Sequence, residues 1–119
     1  MDRESPDFAP RSFAFACQIV QLYRTLLRIN GFPIGIARQV LHSGTSVGAN
    51  LEESRAPSSR RDLTSRFNIA LREARETKYW LRLIRATDLA PAAVTDALAK
   101  EADELVAILT VSVRHLRSG

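Results

Sequence analysis

Proline and glycine cut this 119-residue chain into four pieces, each long enough for one helix. Asn30-Gly31 and Pro33 make the first cut, Pro57 the second and Pro91 the third. Proline ends or breaks a helix, and Asn and Gly tolerate the left-handed backbone that closes one. Inside each piece apolar residues recur every three or four positions, the period of an amphipathic helix rather than a strand. Long helices joined by short loops lie antiparallel to their neighbours. The expected fold is therefore all-α: an antiparallel up-down-up-down four-helix bundle over residues 10–117, preceded by a loosely ordered segment over residues 1–9.

The first helix is expected at about residues 10–29, with Phe13, Ala16, Val20, Tyr23 and Leu27 as its buried stripe. Phe15, Ile19, Leu22 and Leu26 widen the apolar surface to nearly half the circumference, more than the roughly 100° stripe a bundle helix needs. The second helix follows Pro33 and frays at Ala56-Pro57. Its stripe is Ala37, Val40, Gly44, Val47 and Leu51, set among Ser43, Thr45, Ser46, Gly48 and Ala49. Each mid-helix glycine costs about 1 kcal/mol relative to alanine, which close approach of another helix would offset. The third helix, about residues 60–87, opens on Ser59 and Asp62, a capping-box spacing with a shorter acid than usual. Leu63, Phe67, Ala70, Ala74, Thr77, Leu81 and Ile84 form its core stripe. The fourth starts at Pro91 and buries Val94, Leu98, Ala102, Leu105, Leu109, Ser112 and Leu116.

With 45% hydrophobic residues the chain can build a core without disulfide or metal. Cys17, the single cysteine, is expected to act as a small buried hydrophobe. The charged start, Met1 to Pro6, is unlike a signal peptide, and no apolar run reaches the roughly 18 residues of a membrane span. A cytoplasmic location is expected, with no membrane partner.

Each candidate for chemistry fails on spacing. Glu52 and Glu53 point about 100° apart on a helix. No Glu-x-x-His occurs, which removes the di-iron bundles. Gly44 and Gly48 lack the Lys-Ser/Thr that follows in a phosphate loop. Ser43, Ser46 and Ser54 have no paired base. Glu73 and Glu76 read as salt-bridge partners, with Arg72 four residues before Glu76. No catalytic residue, metal, cofactor or small-molecule substrate is expected, and the chain is read as a non-enzyme.

Charge is distributed unevenly. Between Arg55 and Arg85 nine basic residues face three acidic ones, while the whole chain carries only +4. Arg75, Lys78, Arg82 and Arg85 fall on one side of the third helix. With Arg55, Arg60, Arg61 and Arg72 they form a candidate surface for RNA or DNA phosphates. A solvated face, or pairing with acids of a neighbour's fourth helix, explains the same pattern. Only Lys78 and Lys100 of the 17 basic residues are lysines, a bias that high genomic GC produces as readily as phosphate recognition. A second apolar face on the third helix (Ile69, Glu76, Trp80 and Leu83) and the over-wide first helix (Phe15, Ile19 and Leu22) point to self-association. Trp80 is the natural anchor, unless it merely lies at the bundle's flank.

Ser43-Gly44-Thr45-Ser46-Val47-Gly48-Ala49-Asn50-Leu51-Glu52-Glu53 resembles the second-helix signature of a bacterial four-helix-bundle family. Its founding members are encoded in intervening sequences of 23S rRNA genes. The run from Ile69 to Leu83 resembles that family's third helix, and Arg11 to Ala16 and Ile108 to Ser112 fit at the two ends, so the likeness spans about residues 10–116. The resemblance implies a homopentamer of unestablished role. A related protein, the accessory variability determinant of diversity-generating retroelements, is a basic pentamer that binds nucleic acid. By that similarity Ser46 to Asn50, Glu52, Glu73 and Glu76 are structural, giving small contacts, a buried amide and interhelical ion pairs. The expected function is a homo-oligomeric, pentameric scaffold for RNA or DNA with little sequence preference. The alternative is a protein–protein adaptor that docks an acidic partner.

Overall fold

The computed structural model describes residues 8–118. The expectation for residues 1–9 falls mostly outside them; of its last two residues, Phe8 is buried and Ala9 already begins a helix. Four helices follow: α1 (Ala9–Leu27), α2 (Ile34–Glu53), α3 (Arg60–Ala86) and α4 (Ala92–Ser118). They form an up-down bundle 49 × 20 × 20 Å in extent. α1 packs on α2, α2 on α3 and α3 on α4, whereas α1 touches α4 only sparingly.

The breaks fall where the punctuating residues stand. Gly31 turns the α1–α2 connection with φ +78°. Pro33, extended at φ −63° and ψ 112°, caps α2. Ser59 Oγ accepts from Asp62 N–H at 3.0 Å. The reciprocal arm reaches one residue further back, with Ser58 N–H donating to Asp62 Oδ2 at 3.0 Å. α3 ends with Leu89 N–H bonded to Ile84 O and Asp88 N–H bonded to Arg85 O. That is a Schellman closure, with Asp88 at φ +54° in the position glycine usually fills.

The core of α2, α3 and α4 follows the expected stripes closely, but α1 is rotated. Phe15, Ile19, Leu22 and Leu26 are buried, while Phe13 is 70%, Val20 42% and Leu27 46% exposed. The two stripes of α1 have the same period, so α2 decides between them. A Cβ on Gly44 would lie 2.6 Å from Ile19 Cγ1, and one on Gly48 would lie 3.1 Å from the Ser12 carbonyl oxygen. The glycines thus receive the side of α1 that carries Ser12 and Ile19. Phe15, Ile19 and Leu22 are therefore core residues, not the outer interface expected of them. Cys17, expected to be buried, is exposed on the opposite side.

Polar pairs stitch the seams. Thr77 Oγ1 lies 2.8 Å from Ser43 Oγ and 2.8 Å from the Glu73 carbonyl oxygen, bridging α3 to α2. Asn50 Nδ2 donates to Ser46 O at 2.9 Å, and its Oδ1 accepts from Arg66 at 3.3 Å. The amide expected at Asn50 is thus part-buried and interhelical. The thin α1–α4 seam is pinned by Arg11, whose Nε donates to Glu101 Oε2 at 2.7 Å while Nη2 reaches Glu101 Oε1 at 2.9 Å and Glu104 Oε1 at 2.8 Å. Those bonds, that to Glu101 foremost, raise the Arg11 pKa against the opposing effect of partial burial.

Candidate nucleic-acid interface on α3

The eight basic residues singled out in the sequence do not act as one group. Arg55 leans toward Glu52 at 3.8 Å in the α2–α3 loop region. Arg60 Nη2 donates to the carbonyl oxygen of Leu116 at 3.0 Å, satisfying one of the free carbonyls at the end of α4. Lys78 Nζ pairs with Asp103 at 2.6 Å and Arg85 Nη1 with Asp96 at 2.5 Å. The acids of α4 thus take up two members of the expected stripe from within the same chain. Arg61, Arg72, Arg75 and Arg82 remain. All four are exposed, and no carboxylate among the described residues pairs with them.

Helical spacing explains the division. At 100° per residue, Lys78 and Arg85 stand on the flank of α3 that faces α4. Arg72, Arg75 and Arg82 stand further round, pointing away from the bundle. Tyr79, 55% exposed, lies among them. Asn68, on the same side, accepts from Arg117 of α4 at 3.2 Å through Oδ1.

The flank toward α2 is different. Ile69, Trp80 and Leu83 are half-buried there and Glu76 is exposed. Trp80 Nε1 donates to Glu76 Oε2 at 3.1 Å. The expected Arg72–Glu76 pair is not formed; Glu76 accepts from the indole through Oε2. Glu52 meets only Arg55, and Glu73 offers its backbone carbonyl to Thr77, so the interhelical ion pairs expected at Glu52, Glu73 and Glu76 are absent among the described residues. Side-chain links that do join helices, among them Ser43–Thr77, Asn50–Arg66 and Arg11–Glu101, are not evident from spacing within any one helix.

A further surface lies between α1 and α2. A shallow groove of about 360 Å³ is lined by Phe13, Ala16, Thr45, Gly48, Ala49 and Glu52, among others. It continues the exposed apolar face of α1. Small residues on α2 open it: Gly48 and Ala49 put little side chain there to fill it.

Among the described residues no group of three His, Cys, Asp or Glu side chains is placed to hold a metal. No described helix is long and apolar enough to cross a membrane.

Comparison with known proteins agrees with this geometry. No curated protein matches the chain. A crystal structure from Bacteroides thetaiotaomicron, of a protein with unknown function from the S23 ribosomal protein family, superposes with a TM-score of 0.80 at 34% identity, covering 88% of this chain and 96% of that one. Residues 6–111 match the family described as 23S rRNA-intervening sequence protein, and the bundle, its two helical signatures and this match together place the chain in that family.

Proposed function

We propose that the protein is a non-enzymatic, homo-oligomeric scaffold, pentameric and cytoplasmic, that binds RNA or DNA through the outer face of α3. The observation that carries this reading is a set of α3 arginines, Arg61, Arg72, Arg75 and Arg82, that meet no carboxylate among the described residues. Among the described residues the acids near α3 pair with Arg66, Lys78 and Arg85 and leave these four. Arginine forks left free on one convex helix face suit phosphate oxygens.

Self-association is supported by apolar surface that the bundle does not use. Phe13, Val20 and Leu27 on α1 flank α2 on one side, and Ile69, Trp80 and Leu83 on α3 flank it on the other. Two different apolar strips on one chain suit a head-to-tail contact, which closes into a ring when the rotation permits. The arginines lie beyond the α3 strip, so assembly and phosphate contact need not compete.

Titration with a mixed pool of labelled oligonucleotides at low salt tests the reading. Binding that weakens steeply between about 50 and 200 mM salt supports it. No binding at low salt removes it and favours an acidic protein partner, a second reading that Lys78 and Arg85 already illustrate by their pairing with carboxylates. Light scattering tests the assembly, and a strict monomer refutes it.

A further inference from the structure

The arginine face of α3 carries a ring that charge alone does not require. Tyr79 follows Arg72 by seven residues and Arg75 by four, and precedes Arg82 by three. These spacings set all four on one face of the helix, over an axial span of about 15 Å. The ring is 55% exposed. It is also braced: Trp80 meets it edge-to-face, with centroids 5.1 Å apart and planes at 75°. Trp80 is in turn fixed by its bond to Glu76 and by packing against the core. A braced aromatic side chain, set between guanidinium groups that meet no carboxylate among the described residues, has little rotamer freedom left to lose on contact.

Duplex and single strand would meet this face differently. In a duplex the flat faces of the bases are covered by their neighbours, so only phosphates and groove edges remain for a helix lying alongside. An unpaired strand offers each base as a free π-face, which an aromatic side chain stacks upon, while nearby arginines take the phosphates. The combination of Tyr79 with Arg72, Arg75 and Arg82 matches the second partner. We infer that the α3 face binds single-stranded nucleic acid, with a base stacked on Tyr79 and the adjoining phosphates held by Arg72, Arg75 and Arg82. This rests on the nucleic-acid reading above and narrows it to unpaired strands.

The test is fluorescence anisotropy of the full chain with labelled unstructured oligonucleotides, oligo-dT and oligo-U, and with a hairpin duplex of matched length. The single strands are expected to bind more tightly than the duplex. Tyr79→Ala is expected to weaken single-strand binding about tenfold and to leave duplex binding unchanged, with Tyr79→Phe close to the parent. Each Arg→Ala change at positions 72, 75 or 82 lowers the single-strand salt slope by about 0.7, and Tyr79→Ala does not alter it. Equal binding of both forms, or indifference to Tyr79→Ala, overturns this inference and leaves the general phosphate reading standing. Failure to bind either form overturns both. Because Tyr79 is on the surface, a melting curve matching the parent verifies that its variants are folded.

Discussion

The hydroxyls of Ser43 and Thr77 meet in the interior, 2.8 Å apart across the α2–α3 seam. Thr77 also lies 2.8 Å from the Glu73 carbonyl oxygen, which can only accept. Thr77 has a single proton to give. It donates to Glu73, and Ser43 donates to Thr77. The consequence is asymmetric. Thr77→Val keeps the shape but strands the Ser43 donor, at a cost of about 1–2 kcal/mol. Ser43→Ala leaves Thr77 satisfied and costs about 0.5 kcal/mol. Urea unfolding of the two variants and of the double variant checks this order, and equal costs would contradict the proton assignment.

Gly44 and Gly35 should respond in opposite directions to alanine. At Gly44 the new methyl meets three side-chain atoms of Ile19 at 2.6–2.8 Å, and Ile19 is itself enclosed. Overpacking of about 1–3 kcal/mol then exceeds the gain of about 1 kcal/mol in helix propensity. At Gly35 nothing lies within 4 Å, so only the propensity gain applies. Thermal melts should show Gly44→Ala below the parent and Gly35→Ala at or above it.

Asp88 occupies a left-handed position where a side chain is strained, although Asp tolerates it better than most residues. Asp88→Gly is expected to stabilise the protein by about 0.5–1 kcal/mol, and Asp88→Val to destabilise it by at least as much. Chemical denaturation of the pair provides the comparison.

Arg11 holds α1 to α4 with a bidentate grip on Glu101, but its side chain is 37% exposed and that of Glu101 26%. Solvent screening limits the pair to about 0.5–1 kcal/mol. Arg11→Lys keeps the charge and loses the fork, so it should recover only part of what Arg11→Ala loses. A double-mutant cycle with Glu101→Gln reads the coupling directly.

Phe13 and Phe15 are two residues apart and should behave as residues of different kinds. Phe15→Ala opens the core and is expected to cost about 3–5 kcal/mol. Phe13→Ser should leave the monomer's stability nearly unchanged and weaken self-association. Unfolding curves at several protein concentrations separate the two effects.

This last contrast marks where the sequence stops being legible. The helix ends follow from Pro33, Gly31, Pro57 and Pro91, whose chemistry acts locally. The cores of α2 and α3 follow from period, because each has one dominant stripe. α1 has two, and the choice between them is made by Gly44 and Gly48, which lie on another helix. The candidate site divides in the same way. The excess of arginine was plain from composition, but Lys78 and Arg85 could be removed from it only once Asp103 and Asp96 were seen opposite them. Helical spacing sets Tyr79 on the arginine face, but its bracing depends on how the Trp80 ring packs, which spacing does not determine.

The exposed thiol of Cys17 has a practical use. It is the chain's single cysteine and stands on the outward side of α1 near Phe13 and Val20, so a maleimide dye attaches at one known point without entering the core. A dye there sits beside the apolar face of α1, and its emission reports whether that surface is wet or covered as concentration rises.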